Sequence, residues 1–122
     1  MKKYWNDVLN AQLKELVVLV RQKLPLMVKI AVNALIVIDV HAKDVVENLW
    51  RNDISDLNAF EWISQLRYYI EDDTVNVKNV QTVFPYGCEY LGNTMRLVIT
   101  SLTDKCYMTL MGALKLNLGG AP

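Results

Sequence analysis

At 122 residues the chain has the length of one small domain, enough to bury roughly two thirds of the surface its unfolded form would expose. Its 13 basic and 13 acidic side chains cancel, which removes the long-range field that draws proteins onto nucleic acid or anionic lipid, so no nucleic-acid partner is expected. Hydrophobic residues make up 52% of the chain and charged ones 21%, a rich apolar share for a free-standing domain, and part of that surface is expected to lie against another domain.

The first ten residues hold no apolar core of signal-peptide length, and the most apolar stretch, Leu24 to Val40, is interrupted by Pro25, Lys29, Asn33 and Asp39. Neither secretion nor a membrane partner is expected. From Tyr4 to Lys23 the apolar residues Trp5, Val8, Leu9, Leu13, Leu16, Val17 and Val20 recur at steps of three and four, the spacing of one helical stripe. Pro25 suits the first turn of a second helix, where its missing N–H costs nothing. Met27, Ile30, Ala31, Ala34, Leu35 and Ile38 then carry the helical period onward to about Trp50. The β-branched string Ala34 to Val40 also fits a buried strand, but no Gly or Pro bounds it, and helix is preferred.

After a polar break at Asn52 to Asp56, Asn58 precedes Glu61 by three residues, the spacing of a capping oxygen and its reciprocal carboxylate. A third helix is predicted over Ala59 to Glu71, burying Phe60, Ile63, Leu66 and Ile70. Past Asp72-Asp73 the period becomes two, with Val75, Val77, Val80, Thr82 and Phe84 marking a β region. Pro85, Gly87, Gly92 and Asn93 read as turn residues and Arg96 to Thr100 as a further β-like run. A last helix is predicted from Thr103-Asp104, with Cys106, Tyr107, Leu110, Leu114 and Leu118 on one side and Gly119-Gly120 as its stop. The fold class is thus mostly α with a small β region.

Chemistry-bearing patterns are sparse. The sequence contains no GxxxxGK[ST], HExxH or GxSxG motif, and its one histidine, His41, has no obvious nucleophile or metal partner in its local sequence. Cys88 and Cys106 stand eighteen positions apart without a CxxC or CxxH partner, which gives neither a disulfide framework nor a zinc site; free thiols in a reducing compartment are expected. Glu71-Asp72-Asp73 lacks the spaced donors and central glycine of a calcium loop and reads as a solvated helix end. Trp5, Trp50, Trp62 and the Tyr68-Tyr69 pair lack the basic groove that accompanies a base-stacking platform, so packing is their expected role. No catalytic residue and no metal ligand is assigned.

Three long blocks point further: Phe84-Pro-Tyr-Gly-Cys-Glu-Tyr-Leu-Gly-Asn93, Arg96-Leu-Val-Ile-Thr-Ser-Leu-Thr-Asp-Lys-Cys-Tyr107 and Leu110-Met-Gly-Ala-Leu-Lys-Leu-Asn-Leu-Gly-Gly-Ala-Pro122. They closely resemble the start of the first AAA+ module of dynein heavy chains, with wording more like the axonemal than the cytoplasmic members. Ile38 to Asp44 and Asn58 to Arg67 resemble the last helices of the dynein linker. The chain departs from the family pattern at Cys88, where tyrosine is typical, at Ser101, where proline is typical, and at Lys105, where arginine is typical.

The resemblance implies two parts, the helical C-terminal part of the linker over 1–72 and the N-terminal part of an AAA+ α/β module over 73–122, before Walker A. In the family Gly-Gly-Ala-Pro leads into that loop, so these residues alone should not hydrolyse ATP, and ATP or ADP with Mg would be bound only by the full-length protein. By the same resemblance Leu97, Val98, Ile99, Thr100 and Leu102 would line the adenine side of the pocket. With strand geometry Leu97 and Ile99 would share one face and Val98 and Thr100 the other. The implied partners are the remainder of the heavy chain with its AAA+ ring, and, through other regions, microtubules and dynein intermediate and light chains. The implied location is the cytoplasm, the cytoskeleton and the axoneme of the cilium or flagellum. From a different class, a stand-alone helical interaction module or truncated product without a nucleotide role fits the same composition.

Overall fold

A computed structural model describes residues 1–92 and 94–121. Asn93, expected at a turn, and Pro122, the last residue of the third resembling block, lie outside the described residues. The chain forms two compact units, one of Met1–Asp53 with Tyr90–Ile99, the other of Ile54–Glu89 with the segment from Thr100 onward.

The first unit is built on an antiparallel pair of helices. Helix α1 (Lys2–Tyr4) runs through a π-helical turn at Trp5–Leu9 into α2 (Asn10–Val20), and α3 spans Leu26–Arg51. Asn10 fixes the wide turn, since its backbone N–H and its side-chain amide both donate to the Trp5 carbonyl, the latter at 3.0 Å. Pro25 holds an extended ψ of 146° at the start of α3 and offers its carbonyl to Lys29 N–H at 3.0 Å. Leu9, Val32 and Leu49 are buried in this unit, whereas Met27, Leu35 and Ile38 of the expected stripe are exposed. The β-branched stretch Ala34 to Val40 is helical throughout, as preferred above. Arg51 ends α3, where Asp53 takes a left-handed φ of 52° and donates to the Trp50 carbonyl.

The second unit departs from the expected third helix. Helix α4 covers only Phe60–Ile63, and Arg67–Glu71 is strand β1, followed by β2 (Thr74–Asn79) and β3 (Thr82–Pro85). The sheet is antiparallel in the order β1-β2-β3, with Tyr68 opposite Val77 and Ile70 opposite Val75. The apolar spacing of 59–71 suggested one helix, but strand pairing takes Arg67–Glu71. Asp72 and Asp73 both adopt positive φ, 49° and 59°, the twist that a two-residue hairpin turn needs, and this recruits the aromatic run before them as a strand. Asn58 is accordingly no helix cap. Its backbone N–H donates to Asp56 Oδ1 at 2.9 Å, and Ala59 stands at the cap position without a side-chain bond. Phe60 and Ile70, expected in the core, are 57% and 83% exposed.

The β2–β3 turn closes over the end of α4. Val80 N–H donates to the Ile63 carbonyl at 2.7 Å, and Asn79 donates its amide to the Ser64 carbonyl at 2.7 Å. These bonds satisfy carbonyls that the short helix leaves unpaired, which explains why the polar Asn79 is only 2% exposed. On β1 and β2, Glu71 accepts from Lys78 Nζ at 2.5 Å and from Asn76 Nδ2 at 3.1 Å. The Lys78 bond first, then the Asn76 bond, hold the Glu71 carboxyl below its ordinary value.

Helix α5 (Ser101–Lys115) also belongs to this unit. It begins earlier than expected, with Thr100 rather than Thr103 at the cap. It also stops earlier, and the glycines are not what stops it. Asn117 takes the left-handed φ of 56°, its N–H reaches the Leu114 carbonyl at 3.0 Å, and Leu118 N–H reaches Ala113 at 2.9 Å; this is the paired bond pattern of a Schellman end. Lys115 ties α5 to the sheet through its Nζ, 2.9 Å from the Gln81 carbonyl. Among the described residues no helix is long and apolar enough to cross a membrane.

Candidate functional site

The residues expected on the adenine side are Leu97, Val98, Ile99, Thr100 and Leu102. Arg96 to Thr100 is not a strand: the described residues from 86 to 100 form neither helix nor sheet. The β-branched run finds no ladder to join, and strand propensity without cross-strand partners does not make a strand. The expected sharing of faces by alternation therefore has no sheet to refer to. Leu97, Val98 and Leu102 are 65%, 63% and 69% exposed, and Ile99 is half-buried.

Thr100 has a defined place. With φ −121° and ψ 171° it is the last extended residue before α5, and its hydroxyl oxygen accepts from Thr103 N–H at 3.4 Å. In return Thr103 Oγ1 accepts from Thr100 N–H at 2.7 Å. The Thr103 hydroxyl also donates to the Thr100 carbonyl at 2.9 Å. The pair is a capping box in which threonine replaces the usual glutamate. Asp104, in the first turn, adds negative charge at the positive end of the helix dipole.

Sequence reasoning found the capping hydroxyl of Thr103 but missed that its partner is Thr100; the spacing Thr-x-x-Thr carried the signal. The bond from Lys115 to Gln81 was also missed, and nothing in the local sequence announces a contact across 34 positions. Cys88 is exposed, with a left-handed φ of 52° and its thiol 3.6 Å from the Tyr86 carbonyl; Cys106 is half-buried, and neither thiol is bonded to the other. Among the described residues, no three His, Cys, Asp or Glu side chains gather as a metal site would require.

Residues 86–122 match the sequence pattern of the family described as "Hydrolytic ATP binding site of dynein motor region". Over 93% of its length the chain is 58% identical to dynein axonemal heavy chain 3 of Mus musculus and 56% identical to dynein axonemal heavy chain 1 of the same species. Over its whole length it is 49% identical to dynein axonemal heavy chain 12 of Homo sapiens. The chain spans only about 3% to 4% of the length of these curated relatives. The identity runs through both the helical pair and the hairpin as well as through α5, so the chain belongs to the dynein heavy chains, with axonemal members as its relatives, and corresponds to a helical stretch leading into the first part of the motor's ATP-binding region.

Proposed function

We propose that this stretch couples the dynein linker to the first AAA+ module and lines the adenine side of that module's ATP pocket. Residues 1–72 carry the last helices of the linker, and 73–122 begin the AAA+ module ahead of Walker A. The proposed boundary falls at Asp72-Asp73, the turn of the β1–β2 hairpin.

The observation that carries the nucleotide part is the match of residues 86–122 to a hydrolytic ATP-binding family. It includes the whole run Leu97 to Leu102. Adenine is held mostly by apolar contact with a few backbone hydrogen bonds, and Leu97, Val98, Ile99 and Leu102 supply apolar surface. Phosphate and Mg binding, and hydrolysis, are assigned to residues outside this stretch. In the whole heavy chain the cofactor is ATP or ADP with Mg. The partners are the remaining AAA+ ring and, through other regions, microtubules and the intermediate and light chains. The site of action is the axoneme of a cilium or flagellum.

The test is equilibrium ATP binding to a dynein heavy-chain motor that carries this sequence. Val98→Asp and Leu97→Asp are expected to weaken binding by roughly 1 to 3 kcal/mol each, about the worth of one buried aliphatic side chain. Unchanged ATP affinity in both folded variants rules out the adenine-side assignment.

A second reading, an interaction module without a nucleotide role, draws on the exposed apolar side chains of α3. Leu26, Met27, Leu35 and Ile38 are 72%, 59%, 48% and 46% exposed. Under the first reading this surface lies against the rest of the linker.

A further inference from the structure

At one end of the helical pair, hydrogen-bond donors gather with little to receive them. Trp5 opens the π-helical turn Trp5–Leu9, a departure from α geometry that is frequent at functional sites. Its ring centre lies 6.0 Å from that of Trp50. The Nε1 atoms of both indoles are buried and have no hydrogen-bond partner among the described residues. A buried donor without an acceptor is a standing cost, and native structures leave few of them.

Three cations lie against the same two rings. Lys2 Nζ is 5.5 Å and the Arg51 guanidinium carbon 5.4 Å from the centre of Trp50, and Lys43 Nζ is 5.5 Å from that of Trp5. Arg51 is paired with Glu47 at 2.6 Å. Among the described residues Lys2 and Lys43 have no carboxylate partner, and neither Asp7 nor Asp44 enters an ion pair. Two ammonium groups and two indole N–H groups are thus left seeking acceptors, on an aromatic floor along which lysine stems can lie. Carboxylates on a polypeptide suit this arrangement better than nucleic acid or a lipid surface, because the chain's 13 basic and 13 acidic side chains cancel and supply no long-range field for a polyanion.

We infer that the Trp5–Trp50 cluster docks an Asp- or Glu-bearing segment from elsewhere in the same heavy chain, with its carboxylates on Lys2 and Lys43. The chain spans only about 3% to 4% of the length of its curated relatives, so nearly all of the heavy chain lies outside this stretch. A tethered segment also has a higher effective concentration than a separate protein. The inference rests on membership of the dynein heavy chains and is independent of the adenine-side reading.

The experiment treats the heavy-chain motor carrying this sequence with a water-soluble carbodiimide, which joins an ammonium to a carboxylate in direct contact as an amide, and identifies the linked peptides by mass spectrometry. Lys2 and Lys43 are expected to be linked to Asp or Glu residues of one common segment outside this stretch, with a yield that falls as added salt screens the pairs. Lys43→Glu is expected to lower the Lys2 link to that segment roughly twofold to fivefold, the range of a partly exposed ion pair, whereas Lys14→Glu, outside the cluster, leaves it unchanged. Links of Lys2 and Lys43 confined to Asp7, Asp44 or Glu47, links scattered over unrelated segments, or none at all would overturn the inference. Links to a different polypeptide would overturn it as well, and so would an equal loss in Lys14→Glu, the mark of a general charge effect.

Discussion

The indole rings of Trp5 and Trp50 meet with their centres 6.0 Å apart and their planes tilted by 59°, joining the first turn of the helical pair to its last. Cations surround them: Lys43 lies 5.5 Å from the Trp5 ring centre, and Lys2 and Arg51 lie 5.5 Å and 5.4 Å from that of Trp50. Edge-tilted aromatic pairs and cation–π contacts each add to simple burial. Both indole Nε1 atoms are buried without a hydrogen-bond partner, which subtracts from it. Trp50→Ala is therefore expected to destabilise the helical pair by about 2 to 4 kcal/mol, at or below the usual range for a large aromatic because the ring is only partly buried. Trp50→Phe, which keeps a ring and deletes the orphaned donor, should cost under about 1 kcal/mol. Urea unfolding followed by circular dichroism checks both; equal losses in the two variants would mean that the ring contact contributes nothing.

Glu71 gives the hairpin a pH dependence of defined sign. Its folded-state carboxyl titrates below its ordinary value, through the bond from Lys78 and then that from Asn76. A depressed carboxylate contributes stability that is fully present above the unfolded value and is lost as pH falls through the folded one. The stability of the chain should accordingly decline on the acid side of the ordinary glutamate range, and Glu71→Gln should lessen that decline. Urea midpoints measured across the acid range decide it; an identical pH profile in Glu71→Gln would contradict the pairing.

Val80 opens the two-residue turn between β2 and β3 with a φ of 51°. A β-branched side chain in the left-handed region costs about 1 to 2 kcal/mol; the bonds of Val80 and Asn79 to the end of α4 hold it there. Val80→Asn relieves that cost, since asparagine visits this region readily, and forfeits some apolar contact of a half-buried valine. The expected net gain is about 0.5 kcal/mol, read as a rise in the urea midpoint. A fall would show that packing of the valine outweighs the strain.

The helical half was legible because Trp5, Leu9, Leu13 and Leu16, and then Ile30, Ala31 and Ala34, recur with a helical period, and Pro25 marks where the second helix begins; Val32 and Leu49, which are buried, were not in the expected stripe, and Met27, Leu35 and Ile38, which were, are exposed. The hairpin was half legible. Val75, Val77 and Phe84 announced strands, but the Arg67 to Glu71 strand hid behind Phe60, Ile63 and Leu66, whose spacing also suits a helix. The turn at Asp72-Asp73 was read as a helix end, when two consecutive aspartates at positive φ instead reverse the chain. At α5 the glycines drew attention from Asn117, which takes the left-handed position itself. For the candidate site, the residue types of Leu97 to Leu102 were informative, whereas their backbone shape was not, because a strand needs a neighbour and none was visible in the local sequence. The grip of Thr103 on Thr100 follows from local chemistry and was open to a capping-box search in which threonine is allowed at the third helical position.

The central claim, that the run from Leu97 to Leu102 lines the adenine side of an ATP pocket, is tested most directly by photolabelling. A dynein heavy-chain motor carrying this sequence is irradiated with an ATP analogue bearing an azide on its adenine ring, digested, and the labelled peptide sequenced. The account predicts label on residues between Leu97 and Leu102, abolished by excess ATP. Efficient, ATP-protected labelling confined to peptides outside this run would contradict it.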